Sequence, residues 1–173
     1  MAGSNISIYF TSDGILVKVV GKGVVEYCRD LKEDLEKLIS EYEKLNLYFD
    51  LSEATHLDST FIGLMVVFDK KLYNNNKGNF FILNPQPKII EILSSMDLID
   101  ILRITNVDVH IIGKYKDVQA NIQKDIVELK LLIETHNHLI QTGGKNKELF
   151  SSLEKVLREE LKKYEQENGQ TKE

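Results

Sequence analysis

The amino-acid sequence predicts an α/β domain, built on a mixed or mainly parallel sheet of about five strands, followed by a C-terminal αα-hairpin. Short apolar segments of β type alternate along the chain with segments whose apolar residues recur at helical spacing. Strands separated by helices favour parallel pairing within one sheet. After Gly113 two long amphipathic stripes replace this alternation. We therefore expect a sheet domain over residues 1–115 and a helical extension over residues 116–173.

The first two predicted strands form a β-hairpin that leads into a helix. Apolar and polar residues alternate from 6 to 10, which is typical of a strand with one buried face. Residues 12–14 (Ser-Asp-Gly) are a turn signal, and residues 15–20 make an apolar second strand. From 24 to 42 the apolar residues recur at spacings of three and four, which predicts an amphipathic helix.

The middle of the predicted domain contains its most apolar segments. Residues 47–51 form an almost unbroken apolar run, which is typical of a central strand covered on both faces. A helix is predicted over about residues 59–73, and its first half has almost no polar face. An apolar fourth strand over residues 80–83 and a short helix over residues 88–95 follow. The alternating residues 107–111 then predict a last strand.

The start of the second helix carries the residues that most indicate function. Asp58, Ser59 and Thr60 are N-cap formers, because their side-chain oxygens accept hydrogen bonds from unpaired backbone N–H groups. The partial positive charge of a helix start also favours a phosphate there. We therefore interpret Ser59 as a phosphorylation switch on a protein-binding surface, with a plain helix cap as the alternative. The apolar residues that follow either fill the core or form a patch for a partner.

Two amphipathic stripes predict the helical hairpin. Their residues are Val118, Ile122, Ile126, Leu129 and Ile133 in the first, and Phe150, Leu153, Leu157, Leu161 and Tyr164 in the second. Residues 141–144 (Gln-Thr-Gly-Gly) separate them, as expected of a turn between two helices. Neither helix can bury its apolar face alone, so the two helices pack on each other, on the sheet domain or on a second copy of the chain. Residues 118–164 are therefore a candidate dimerisation or partner-docking arm, and the polar tail over 165–173 is expected to fray.

Composition excludes several classes of function. The net charge is −5 and neither region is basic, which argues against a nucleic-acid backbone as the main partner. Cys28 is the only cysteine, so no internal disulfide or thiolate metal cage is expected, and Cys28 is predicted to be a small apolar helix residue. No stretch is apolar enough to span a membrane, and the N-terminus lacks the basic and apolar regions of a signal peptide. A cytoplasmic protein is therefore expected.

No catalytic or metal-binding motif is evident in the sequence. His136 and His138 would point roughly 200° apart on a helix, so they cannot share a metal on one face. Ser59 lies in no nucleophile-elbow motif, and the sequence names no base for it. Asp50 and Asp58 are better explained as caps than as an acid pair. We therefore expect no enzyme activity, no metal and no cofactor.

Two motifs resemble those of a known family. Residues 50–52 (Asp-Leu-Ser) are followed by residues 57–60 (Leu-Asp-Ser-Thr) and Gly63, and residues 84–87 (Asn-Pro-Gln-Pro) open the later helix. These motifs and the order of elements resemble the STAS domain of bacterial anti-sigma factor antagonists, over about residues 5–112. The chain is most similar to a branch of that family with Asp-Ser-Thr-Phe in the central motif and a helical C-terminal extension.

The sequence departs from the family pattern at three places. Phe61 stands where the family has the first glycine of its central motif. Residues 21–24 (Gly-Lys-Gly-Val) replace the usual Gly-x-Leu-Asp segment after the second strand. Asp97 replaces a usual glycine.

The resemblance implies a regulatory function. In the family, the serine that follows the motif aspartate is phosphorylated by a serine kinase that is also an anti-sigma factor; here that position is Ser59. The unphosphorylated antagonist binds the kinase and frees the sigma factor, and a PP2C-type phosphatase resets the cycle. The resemblance thus implies transcription regulation by partner switching. The expected partner-binding residues are Asp58, Ser59, Thr60, Phe61, Ile62 and Met65.

Two other functions stay open at this point. The first is a STAS-type scaffold or signal-output module that binds its partner without phosphorylation and oligomerises through the C-terminal helices. The second is a small-molecule sensor with a pocket near the start of the second helix.

Overall fold

The computed structural model describes residues 3–169. Over these residues a six-stranded sheet is accompanied by five α-helices. The strands are β1 (Asn5–Thr11), β2 (Gly14–Gly23), β3 (Leu45–Leu57), β4 (Gly78–Leu83), β5 (Ile104–Thr105) and β6 (Ile111–Asp117). The helices are α1 (Val25–Ser40), α2 (Ser59–Asn74), α3 (Pro87–Ser95), α4 (Ile126–Gln141) and α5 (Gly144–Gly169). The predicted α/β class, with a mixed sheet and a C-terminal helical hairpin, is confirmed.

The strand order β5-β4-β3-β2-β1-β6 places β3 inside the sheet. Both neighbours of β3, which are β2 and β4, run parallel to it, whereas β1 pairs antiparallel with β2 and with β6. The central position predicted for residues 47–51 is therefore confirmed. β3 continues beyond the predicted strand, because its ladder with β2 extends to the pair Gly23 and Leu57. This extension brings the end of β3 directly to the start of α2.

The last predicted strand was wrong in its position. Residues 107–111 alternate in sequence, but Val107 is 52% exposed and only Ile111 of this range belongs to a strand. The free edge of β1 instead pairs with β6, which starts at Ile111 and reaches Asp117. Alternation alone cannot identify a strand, because a strand also needs a neighbour with unpaired backbone groups.

The main core lies between one face of the sheet and the helices. Ile15 and Val17 of β2 belong to this core, whereas Leu16 packs with Tyr48 and Leu83 in a small cluster. Successive side chains of a strand point to opposite faces, so the small cluster lies on the other face of the sheet. Cys28 of α1 is fully buried in the main core, as predicted for a small apolar residue.

The C-terminal hairpin packs back onto the sheet domain. Helix α4 contacts α2 as well as α5. It begins at Ile126 with Asp125 as its N-cap, so the predicted first stripe is helical only in its later part. Ile122, in the non-helical part of that stripe, is 65% exposed. The predicted Gly-Gly turn is confirmed, since Gly143 has a φ of 80°.

The second stripe lies along α5. Leu157 is buried, but Leu153 is 41% exposed. Helix α5 continues to Gly169, so the first part of the predicted polar tail is helical, and residues 170–173 lie outside the described residues. Among the helices that the structure describes, none combines the length and apolar character needed to cross a membrane.

Candidate functional site

Asp58 joins the starts of two helices. Its Oδ1 accepts a hydrogen bond of 2.8 Å from the backbone N–H of Phe61, and its Oδ2 accepts one of 2.8 Å from the backbone N–H of Val25. The single carboxylate therefore satisfies unpaired donors of both α1 and α2. Burial raises the pKa of Asp58, against the two backbone hydrogen bonds that act to lower it. The predicted role of Asp58 as a helix cap is confirmed.

Removal of this double cap is expected to destabilise the fold. Asp58→Ala leaves two backbone N–H groups without their acceptor, and a lost cap costs about 0.5–2 kcal/mol, so we expect a loss of about 2 kcal/mol of unfolding free energy. Urea denaturation followed by circular dichroism measures this. Asp100→Ala removes the same group from an exposed turn and should change stability by less than about 0.5 kcal/mol. Equal stabilities of the two variants would contradict the capping role.

Ser59 forms a hydrogen bond with a histidine of the C-terminal hairpin. Its Oγ lies 3.2 Å from Nε2 of His136, and Ser59 itself is half-buried. The other ring nitrogen, Nδ1, lies 2.7 Å from the carbonyl oxygen of Leu132. A carbonyl can only accept, so Nδ1 carries a proton, and with a single ring proton Nε2 accepts from the Ser59 hydroxyl. The sequence named no base for Ser59; the structure places one beside it.

The histidine is held tightly within the hairpin. His136 is only 2% exposed, and its ring packs edge-on against Phe150 of α5 with 5.3 Å between the centroids. A serine hydroxyl, an imidazole and an orienting carbonyl form the arrangement in which a histidine activates a nucleophile. Here the same hydrogen bond also ties α4 to the start of α2.

The close approach of α4 and α2 depends on Gly63. A Cβ at this position would lie 2.7 Å from the carbonyl oxygen of Thr135 and 2.8 Å from the Thr135 Cβ. A glycine inside a helix costs about 1 kcal/mol relative to alanine, and here the close approach of the α4 backbone accounts for its presence.

Charged side chains border the same contact. Glu134 of α4 lies 3.0 Å from Nζ of Lys32 on α1 and 3.4 Å from Nζ of Lys71 on α2. Burial acts to raise the pKa of Glu134, but the hydrogen bonds and charges of the two lysines outweigh it, so the pKa is lowered. Glu36 also pairs with both lysines, at 3.5 Å from Lys32 and 2.7 Å from Lys71.

The predicted partner-binding residues are mostly covered in this arrangement. Asp58 and Ser59 are half-buried, whereas Thr60 is 5% exposed and the other three are almost fully buried. Those three residues are Phe61, Ile62 and Met65. Their role in partner binding stays a prediction, and it requires a rearrangement that uncovers these three side chains.

Phe61 fills a space that a glycine on β2 leaves open. A Cβ at Gly23 would lie 3.0 Å from the Phe61 ring and 2.7 Å from a methyl group of Leu57. The ring also packs edge-on against Phe49, at 6.0 Å between centroids. Two departures from the family pattern, at positions 61 and 23, therefore fit each other in three dimensions.

The other acidic residues near the site have structural partners. Asp50 accepts a hydrogen bond of 3.0 Å from the backbone N–H of Ser52, and Glu53 forms an ion pair of 2.7 Å with Lys18. Among residues 3–169, no group of three or more histidine, cysteine or acidic side chains is arranged to hold a metal ion.

Sequence reasoning missed the hairpin residues that reach the site. Thr135, His136 and Glu134 are polar residues, and the predicted stripe placed the buried face of α4 on its apolar residues. Helix α4 instead buries two of its sides, because it packs against α2 on one side and against α5 on another. The one signal in the sequence for a contact between these helices was a glycine inside the predicted α2, at Gly63, together with a histidine, His136, on the predicted amphipathic helix of the hairpin.

Comparison with known proteins identifies the sheet domain. The family model described as the STAS domain matches residues 6–110. A solved structure of the anti-sigma factor antagonist SpoIIAA, in its unphosphorylated form, is similar with a TM-score of 0.51 and 13% identity; the match covers 58% of this chain and 88% of that one. A candidate anti-sigma factor antagonist from Thermotoga maritima matches with a TM-score of 0.49 and 21% identity, over 59% of this chain and 86% of that one. The helical hairpin lies outside the residues that the family model matches.

Proposed function

Because this chain belongs to the STAS domain family, we propose that it is an anti-sigma factor antagonist whose partner binding is controlled by phosphorylation of Ser59. The observation that carries the proposal is the position of the Ser59 hydroxyl, which lies at the N-terminus of α2 directly after the capping Asp58. The proposed partners are a serine kinase that is also an anti-sigma factor and a PP2C-type phosphatase, acting in the cytoplasm. The similar SpoIIAA structure was determined in an unphosphorylated form, which supports regulation of this kind.

The physical basis of the switch is local. A phosphate adds about −1.5 to −2 charges at neutral pH, and a helix N-terminus accommodates that charge without unfolding. The same dianion opposes an apolar or acidic partner surface that docks over α2. Phosphorylation would therefore lower partner affinity and leave the fold of the sheet domain intact.

We assign Ser59 to binding rather than to catalysis. His136 is buried on the docked hairpin, so a substrate would have to displace the base in order to reach the hydroxyl. The hydrogen bond therefore serves to hold the hairpin.

Charge at position 59 is expected to weaken binding of the kinase partner. We expect Ser59→Asp to lower its affinity at least tenfold in isothermal titration calorimetry, because the carboxylate brings a negative charge onto the docking surface. Ser52→Asp makes the same change on β3 and is the matched control, expected to bind as the wild type does. Intact-protein mass spectrometry after incubation with the kinase and ATP should show one phosphate, absent from Ser59→Ala. Equal affinities of the two aspartate variants would contradict the proposed switch.

A second candidate function is a scaffold that works without phosphorylation and oligomerises through residues 118–164. Two observations favour it. The Ser59 hydroxyl is already engaged by His136, and α5 exposes an apolar row of Leu149, Leu153 and Val156. Light scattering distinguishes the candidates, because the scaffold predicts a stable dimer that Leu153→Glu converts to a monomer.

A further inference from the structure

Helix α4 lies against the face of α2 that carries Ser59 and Gly63, through His136 and Thr135. Leu131 and Leu139 of α4 are buried in the main core. At Gly63 the backbone of α4 comes so close that no side chain fits between the two helices. This face is therefore shaped to receive a helix.

The charges around this face select the kind of helix that it receives. The ammonium groups of Lys32 and Lys71 both contact the carboxylate of Glu134. The three side chains are only partly exposed, with 24%, 38% and 28% of their surface accessible respectively. An apolar helix without a carboxylate at this place would leave the two lysines facing Glu36 alone.

An irregular connection leads into α4. Residues 118–125, which connect β6 to α4, belong to no helix or strand. This connection is fixed to α1 by the ion pair of Arg29 with Asp125 at 2.9 Å and by a backbone hydrogen bond of 2.7 Å from Asn121 to Glu26. The hydroxyl of Thr135, at the closest contact, bonds only within its own helix among the hydrogen bonds described, to the carbonyl groups of Leu131 and Leu132 and to Nδ1 of His136.

We propose that α4 is an intramolecular occupant of a helix-binding surface on α1 and α2, and that the partner displaces it with an amphipathic helix carrying a carboxylate in the place of Glu134. This inference rests on the proposed function in that the partner is the one whose binding Ser59 controls. A tethered helix acts at an effective concentration on the order of millimolar, so the covered surface has a reduced apparent affinity for any competitor.

The arrangement also couples the hairpin to the switch. Ser59 Oγ already contacts the His136 ring at 3.2 Å, which leaves no room for a phosphate along that direction. A phosphate that points toward His136 therefore competes with the docked hairpin, which couples the state of Ser59 to the position of α4.

Displacement is tested with α4 itself as the competing helix. A fluorescein-labelled peptide of residues 124–142 is titrated with full-length Glu134→Lys, whose own α4 now repels Lys32 and Lys71. Glu148→Lys makes the same charge change at an exposed position on α5 and is the matched control. Fluorescence anisotropy should show at least tenfold tighter peptide binding to Glu134→Lys than to the control or the wild type. A peptide that itself carries Glu134→Lys should lose this binding.

Hydrogen exchange read by mass spectrometry gives an independent result. Amides of α2 should exchange faster in Glu134→Lys than in Glu148→Lys, and addition of the native peptide should restore their protection. Equal peptide affinities of the two variants, or unchanged exchange in α2, would overturn the proposal. A dimer that persists on dilution and excludes the peptide would also overturn it, because the occupant would then belong to a second copy. The peptide assay contains no kinase and no phosphate, so its outcome is independent of whether Ser59 is a switch.

Discussion

Phe61→Ala is expected to lower the unfolding free energy by about 3–5 kcal/mol, as is usual for deletion of a buried aromatic ring. The ring of Phe61 extends from α2 onto the sheet and is fully buried there. It packs on Phe49 of β3 and against Gly23 of β2, which has no side chain. The cavity cannot close easily, because β2 and β3 are held by their own ladder. Urea denaturation measures the loss.

Tyr73→Ala is the matched control for this change. It also removes an aromatic ring from α2, but Tyr73 is 74% exposed, so its loss should cost less than about 0.5 kcal/mol. A cost below about 1 kcal/mol for Phe61→Ala would mean that position 61 is not the core residue described here. It would then be available as a partner contact without any rearrangement.

Gly63→Val is expected to push α4 away from α2, at a cost of about 3 kcal/mol to the docked state, near the upper end for an overpacked contact. The obstacle is the Thr135 carbonyl oxygen, which is backbone and cannot rotate aside. The better helix propensity of valine over glycine recovers only about 0.4 kcal/mol. Hydrogen exchange in α4 should therefore accelerate by about a hundredfold, while β2 and β3 remain protected.

The control for Gly63→Val is Gly113→Val. A Cβ at Gly113 would meet nothing within 4 Å, so this variant adds the same atoms without a clash. Exchange in α4 should remain at the wild-type rate in the control. If Gly63→Val also leaves α4 protected, the hairpin is not held by the close approach at this glycine.

The fold could be predicted from the sequence where local patterns coincide with the tertiary environment. The apolar run over 47–51 indicated a central strand, and the Pro87 and Asp58 positions indicated helix starts that the structure confirms. The strand at 107–111 failed because pairing is decided by a distant edge, that of β1. Residues 52–57 were missed as strand because β2 continues beside them, which the sequence does not show.

The candidate site could be predicted only for its local part. Asp58 and Ser59 are identified by capping chemistry, which involves a few neighbouring residues. The contact of Ser59 with His136 spans 77 positions and arises from the way the hairpin folds back, so no spacing rule reveals it. Asp97 adopts a φ of 53°, a left-handed conformation that glycine adopts most easily and that accounts for the usual family residue there.

The central claim is that a phosphate on Ser59 controls docking on the start of α2. The most direct measurement is the affinity of the kinase partner for the full-length chain, prepared once with serine and once with phosphoserine at position 59. The account predicts that the serine form binds and that the phosphoserine form binds at least tenfold more weakly, with the fold of the sheet domain unchanged by circular dichroism. Equal affinities of the two forms would contradict it.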